Sequence, residues 1–272
     1  MRVGPINIAD WCSHLRHEQG LSGRTVSQKY LAAVKVIFRI AVEKQKLSVN
    51  PAADVKEPYS KALRTRSKGF TDAEAQAILK AALADPSTLG RRSDLNKRAI
   101  RWGPWICAFT GARITEVMQM RAEDLIVTLG IPCLRITPDA GSVKSGSYRV
   151  VPIHPQLIEM GLPDLFQSLK PGPVFYSTAP HRGKAADPVE RAQAAGGKVG
   201  QWVRNDVGVK GNVQPNHGWR HRFNTLGRDV GIGIEYLDEI QGYEDGRASS
   251  EYGDTSIRAL WREIQKLPHI QV

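Results

Sequence analysis

Between Asn216 and Val230 the apolar residues Trp219, Phe223, Leu226 and Val230 recur at steps of four, three and four, one unbroken stripe along a helix. A stripe of that width has to be covered by a core, so it fixes which way every other residue of the helix faces. His217 and Arg220 fall side by side roughly 120° from its centre and are expected to point at something other than the core. Gly231 and Gly233 stop this helix, and Ile234, Leu237 and Ile240 predict a second short one ended by Gly242. Polar, glycine-containing sequence follows, carrying Tyr243 and Tyr252. A histidine and an arginine on one open face, with a tyrosine some thirty residues on, point to phosphate chemistry with a phenol nucleophile.

The charge balance points the same way. With 38 Lys and Arg against 27 Asp and Glu, the chain carries a formal +11 and favours a polyanionic partner. Residues 1–68 hold 13 of the basic and 5 of the acidic residues, so +8 lies in the first quarter of the 272-residue chain. A basic N-terminal module is therefore expected to hold the polyanion. Cys12, Cys107 and Cys133 match neither a disulfide framework nor a metal knuckle, which fits a reducing cytoplasm. No apolar run approaches the roughly 18 residues of a membrane span, and the opening residues lack the pattern of an export signal. The expectation is a cytoplasmic protein with no membrane partner.

Periodicity predicts a short helix over 6–17 and a clearer one over 25–46, with Val26, Tyr30, Val34 (or Ala33), Ile37 and Ala41 on its apolar face and Gln28, Lys35 and Arg39 on another. Asn50-Pro51 ends it, and the run to Lys68, with Lys56, Lys61, Arg64 and Arg66, reads as an extended basic linker. The domain division is thus 1–66 and 67–272. Thr71 and Glu74 form a capping box that opens a helix through Ala84. A further helix over 95–109 is expected to kink or restart at Gly103-Pro104, before a sharp turn, Thr110-Gly111-Ala112-Arg113, opens the next. Residues 134–137 and 149–153 read as two strands flanking a Gly/Ser turn that carries Lys144. A helix starts at His154-Pro155, residues 177–197 read as loop, and Val199, Trp202 and Val203 as helix. Asp254 or Thr255 is expected to cap a last helix whose residues Ile257, Leu260, Trp261, Ile264 and Leu267 need a partner surface.

Four segments, "FTGARITEVMQMRAEDL" at 109–125, "VKSGSYRVVPI" at 143–153, "NHGWRHRFNTLGRDVGI" at 216–232 and "YEDGRASSEYG" at 243–253, resemble the tyrosine recombinase (phage integrase) family and occur in its order. The resemblance covers residues 70–265. It implies a mainly α fold with a small antiparallel β-sheet, an α+β catalytic domain preceded by a short helical DNA-binding module. It further implies that Arg113 and Arg220 are the paired arginines, Lys144 the hairpin lysine, His217 the histidine and Tyr252 the nucleophile. Where the family usually has His or Trp, this chain has Tyr243, in Gln241-Gly242-Tyr243. Tyr243 is also a rival nucleophile, although Tyr252 holds the family's spacing.

The chemistry suits the residues. Attack on a DNA phosphodiester gathers charge on the non-bridging oxygens, and two guanidiniums clamp such charge without a metal. A phenol with pKa near 10 must lose its proton, at a cost of about 4 kcal/mol at neutral pH. The resemblance gives His217 that role or the holding of phosphate, and Lys144 the protonation of the leaving 5′ hydroxyl. No cofactor is implied. His217 and His221 lack the HExxH form of a zinc site. The expected activity is site-specific recombination of double-stranded DNA through a 3′-phosphotyrosyl link, by a protein that is monomeric in free solution and a homotetramer on DNA. Two alternatives stand beside it: type IB topoisomerase-like relaxation, and a non-catalytic DNA-binding protein with a degenerate site.

Overall fold

Helix α1 (Pro5–His17) opens on a proline, whose missing N–H costs nothing at a helix start, and turns Ile8, Cys12 and Leu15 inward. The computed structural model describes residues 3–60, 63, 65–141, 143, 146–180, 185, 187–211, 213–243 and 255–272. It divides into two units, Met1–Thr65 and Arg66–Val272. In the first, α2 (Gly23–Thr25) and α3 (Ala32–Glu43) are joined by a π-helical turn, Val26–Leu31. That turn corrects the expected apolar face. A π turn carries an extra residue, so the fully buried side chain after Val26 is Leu31, with Tyr30, Val34 and Phe38 partly buried beside it. Ile37, on the expected face, is 63% exposed.

The supposed linker also differs from expectation in its first part. Ala52 and Val55 are buried with the helices, Arg16 Nη1 donates to Glu57 Oε1 at 2.8 Å, and Gln28 Nε2 donates to the Tyr59 hydroxyl at 2.6 Å. Small or single apolar side chains among lysines give no periodic signal. Lys61 and Arg64 lie outside the described residues.

The second unit is mainly helical with one three-stranded antiparallel sheet. Helix α4 (Asp72–Ala82) has the expected capping box: Glu74 N–H donates to Thr71 Oγ1 and Thr71 N–H to Glu74 Oε2. Its neighbour α5 (Asp94–Thr110) forms the centre of the core, with Trp105, Ile106, Cys107 and Phe109 enclosed by α4, α6 (Ile114–Met118), α9 (Pro188–Asn205) and α10 (Pro215–Asp229). It runs through Gly103-Pro104 without restarting. Gly103 has its own reason to be there: a Cβ would sit 2.9 Å from the Met118 methyl and 3.3 Å from Ile114. Its bareness lets α6 approach.

Strands β1 (Leu125–Thr128), β2 (Ile131–Ile136) and β3 (Arg149–Pro152) pair in that order, with Leu125 opposite Leu134 and Leu134 opposite Val151. Strand β1 is absent from the sequence expectation. Its turn, Leu129-Gly130, has both residues at positive φ, a hairpin geometry seldom given to leucine. The helix expected from His154 is two, α7 (Pro155–Glu159) and α8 (Leu162–Gln167), divided at Gly161.

Helix α9 begins eleven residues earlier than the expected Val199, at Pro188, capped by Asp187. Gly196, inside the stretch expected to be loop, is a helix contact: a Cβ there would meet Ile114 at 3.2 Å. After α10, α11 (Ile234–Gln241) ends at Gly242 as expected. The last helix, α12 (Ile257–Ile264), is capped by Ser256, not by Asp254 or Thr255, and buries Leu260, Ile264 and Leu267 within its own unit, beside β3 and α11.

Candidate active site

The end of α5 is built to turn. Thr110 Oγ1 donates to the Ile106 carbonyl at 2.7 Å and accepts from Ala112 N–H at 3.1 Å, while Gly111 takes a left-handed φ of 58° and returns its N–H to Cys107. The chain therefore reverses within two residues and delivers Arg113 to the N-cap position of α6. Glu116 then holds Arg113 twice: its Oε2 accepts from the backbone N–H at 3.1 Å and its Oε1 from Nη1 at 2.8 Å.

Glu116 is 1% exposed, and it also accepts from Arg149 Nη2 of β3 at 2.7 Å. Burial would push its carboxyl up, but the charge and hydrogen bond of Arg149 and the donors of Arg113 outweigh that and hold it below the usual carboxylate range. Two guanidiniums on one carboxylate leave this corner with a net positive charge. Neither Glu116 nor Arg149 is among the residues expected from sequence. A glutamate opening a short helix and an arginine opening a strand both read as surface charges, and only their burial separates them from such charges.

Arg220 departs from expectation in its surroundings. Although off the apolar stripe of α10, it is only 5% exposed. Its Nη1 donates to the Gly111 carbonyl at 2.8 Å and to the Gln241 carbonyl at 2.7 Å, so one side chain ties together the turn before Arg113 and the end of α11. Gln241, also buried, returns a bond from Nε2 to the Arg220 carbonyl at 2.8 Å. Burial lowers the Arg220 pKa and the nearby charge of Arg113 adds to this, while Tyr243 opposes it. A guanidinium remains charged under such pressure.

Gly242 ends α11 in the left-handed region, and the Tyr243 N–H donates back to Asp238 at 2.9 Å, which places Tyr243 against the site. Its ring lies 4.1 Å from the guanidinium carbon of Arg220. His217 sits one turn before Arg220 on α10 and is exposed. Gly218 beside it lets the Phe70 ring pack on the helix backbone, since a Cβ would come within 2.7 Å of that ring. Arg113, Arg220, His217 and Tyr243 are thus carried by neighbouring elements of one unit. Lys144 and Tyr252 lie outside the described residues.

Two buried nitrogens here have no acceptor among the described residues, Arg220 Nη2 and Arg149 Nη1. Buried donors are normally satisfied, and an orphan on a cation is costlier than most. Chemically the cluster gathers positive charge and holds more donors than acceptors among the described residues. No group of three or more His, Cys, Asp or Glu among the described residues is placed to hold a metal ion. No helix among them is long and apolar enough to cross a membrane.

No protein-family model and no curated protein matches the sequence. Solved structures do match. An integrase from mycobacterium phage Brujita is 19% identical over 99% of this chain and 80% of its own, with a TM-score of 0.50. The XerH site-specific recombinase bound to difH substrate in a pre-cleavage complex is 19% identical, over 97% of this chain and 67% of its own, at 0.58. A lambda integrase tetramer bound to a Holliday junction is 16% identical, over 93% and 65%, at 0.59. At such identities the likeness is one of fold. The chain has the fold of the tyrosine recombinases, a mainly helical catalytic domain with a small antiparallel sheet.

Proposed function

We propose that this chain is a site-specific DNA recombinase that cleaves and rejoins strands through a 3′-phosphotyrosyl link, in the integration and excision of a prophage or genomic island. One observation carries the reading. Arg220, buried with no acceptor for Nη2 among the described residues, bonds the carbonyl of Gly111 two residues before Arg113, which supports an anion held between the two arginines.

A phosphodiester at that point would share its non-bridging oxygens between Arg113 and Arg220, whose forks are already oriented by Glu116 and by two carbonyls. Such preorganised donors act on the charge that develops at five-coordinate phosphorus. Tyr252 attacks phosphorus, His217 takes the phenol proton or steadies the phosphate, and Lys144 protonates the departing 5′ oxygen. One phosphodiester is exchanged for another, so a second strand's 5′ hydroxyl reverses the step without ATP. Tyr243 packs on Arg220 and, with its hydroxyl, can donate one hydrogen bond to a phosphate oxygen. The basic module 1–66 grips duplex DNA, so binding should weaken steeply with salt.

The fold neighbours support the reading, being integrases and recombinases, one a tetramer on a Holliday junction. A tetramer on DNA, with monomers in free solution, fits here as well. The second reading, relaxation of DNA by a monomer in the manner of a type IB topoisomerase, is favoured by one feature: α12 buries its apolar face within its own unit. Supercoil relaxation and strand exchange between two duplexes, measured side by side, separate the two.

The decisive experiment traps the covalent adduct. A duplex selected from a random pool for tight binding is nicked beside the cleavage point and mixed with wild type, Tyr252→Phe and Tyr243→Phe, and detergent-resistant complexes are counted. Loss with Tyr252→Phe alone supports the assignment. Loss with Tyr243→Phe alone transfers the nucleophile to Tyr243, and no adduct with wild type leaves a DNA-binding protein.

A further inference from the structure

Arg149 takes no part in the proposed chemistry, yet it is 6% exposed and two of its three guanidinium nitrogens are hydrogen-bonded inside the protein. Its Nε donates to the Ile240 carbonyl at 3.0 Å, two residues before Gly242, and its Nη2 donates to Glu116 at 2.7 Å. The third nitrogen, Nη1, lies against Gly242, where an added Cβ would come within 2.6 Å of it. A single side chain on β3 therefore meets the carboxylate that holds Arg113 and the end of the helix that delivers Tyr243.

We infer that Arg149 is a positioning residue for DNA cleavage, setting Glu116, and through it Arg113, in register with the C-terminal end of α11. The inference rests on the function proposed above. Its physical basis is the convergence of donors on Glu116. Three donors meet the two carboxylate oxygens, the backbone N–H and Nη1 of Arg113 and the Nη2 of Arg149. A proton on the carboxyl would remove the negative charge that two guanidiniums share and add a donor beside theirs. The orientation of Arg113 thus depends on Glu116 staying ionised.

The groups that face Glu116 are Arg113 at the start of its own helix, Arg149 from β3, Arg220 from α10 and the Cys107 thiol from α5. Cys107 is fully buried, and burial holds its thiol protonated. With Arg149 removed, Arg113 alone donates to a carboxylate that is out of water, and burial favours its neutral form. Glu116 would then take up a proton more readily than in the wild type, and its hold on Arg113 would weaken.

The test is single-turnover adduct formation on the nicked duplex, with the protein saturating, for Arg149→Met, Arg149→Lys and Glu116→Gln. Arg149→Met should bind DNA as wild type does and cleave about a hundredfold more slowly near neutrality, the penalty of a misplaced clamp. Its rate should fall further as the pH is lowered, and fall proportionately more than that of the wild type. Arg149→Lys, which keeps the charge, should recover much of the rate and lose the added acid limb. Glu116→Gln should be slow throughout, without that limb. An Arg149→Met protein with a wild-type-shaped pH profile, or a Glu116→Gln protein at the wild-type rate, overturns the inference. The second result decides even where Arg149→Met does not fold. A wild type that forms no adduct removes the proposed function, and this inference falls with it; a wild type that does form one lets the variants judge Arg149 alone.

Discussion

The ring of Tyr243 lies over the guanidinium of Arg220, 4.1 Å from its central carbon, while Nη1 of the same arginine is held edge-on by the carbonyls of Gly111 and Gln241. One face and one edge of the cation are therefore fixed by protein, and Nη2 has no acceptor among the described residues. The ring face covers the cation, and the hydroxyl adds a favourable interaction with the same guanidinium. Tyr243→Phe should keep most of the single-turnover cleavage rate. Tyr243→Ala should lose roughly 1–2 kcal/mol of transition-state stabilisation, about five- to thirtyfold in rate. A Tyr243→Ala rate equal to that of wild type would show that the stacking does not matter.

The burial of Arg220 marks where sequence reading stops. The apolar stripe of Trp219 and Phe223 is local and periodic, so α10 is legible, as are the capping box of α4 and the glycine stop of α11. What encloses Arg220 is not local. Its two carbonyl partners are 109 and 21 residues away, and no window of sequence contains them. Glu116 and Arg149 are hidden for the same reason, being 33 residues apart. Strand β1 and the first half of α9 fail differently: Leu129 in a left-handed turn and Gly196 inside a helix each break a local rule for the sake of a tertiary geometry. The site's charged residue types were visible; their depth was not.

Gly111 carries two constraints at once. Its φ of 58° disfavours any side chain, and a Cβ would collide with Gln241 and lie 2.8 Å from the Phe223 ring. Gly111→Ala should therefore destabilise the second unit by about 2–4 kcal/mol, summing strain and overpacking. It should also lower cleavage, because Arg220 is anchored on the carbonyl of this residue. Chemical denaturation followed by tryptophan fluorescence checks the first effect. An unchanged midpoint would mean that the turn relaxes easily.

At Glu74 the capping box is reinforced by a fork from Arg66, Nη1 to Oε1 at 2.8 Å and Nη2 to Oε2 at 2.7 Å. These hydrogen bonds, led by Arg66 and opposed by burial, bring its pKa down to about 2. The folded value lies below the ordinary one, so the stability this group adds is present in full above about pH 4.3 and is lost as the pH falls toward 2. With the pair partly open to water, the contribution is about 1–2 kcal/mol. Glu74→Gln should lose that amount at neutral pH and almost none below about pH 2. Denaturant midpoints of the two proteins that stay equally separated down to that pH would contradict the assignment.

His154 gives the opposite kind of titration. Its ring stacks on Phe109 at 4.0 Å, is 1% exposed, and caps α7. The Gln156 N–H can only donate, so Nδ1 is the acceptor of that bond and Nε2 carries the proton given to the Leu267 carbonyl at 2.9 Å. A second proton would have to sit on Nδ1, against the Gln156 N–H at a helix N-terminus. Burial, partly offset by the Leu267 carbonyl, accordingly lowers the His154 pKa to about 4. The unfolded chain takes up a proton below about pH 6.5 that the folded one refuses, so this stability is complete above about 6.5 and drains away toward pH 4. The loss amounts to roughly 2–3 kcal/mol. His154→Phe should be less stable than wild type at neutral pH, for want of two hydrogen bonds, and the gap should close as the solution is acidified. Because His154 and Gln156 fasten the segment after α12, with Gln156 bonded to both backbone groups of Ile270, the same acidification should raise hydrogen exchange at 267–270 before that of α5. Parallel stability curves for the two proteins across this range would mean that the ring is not held neutral by its surroundings.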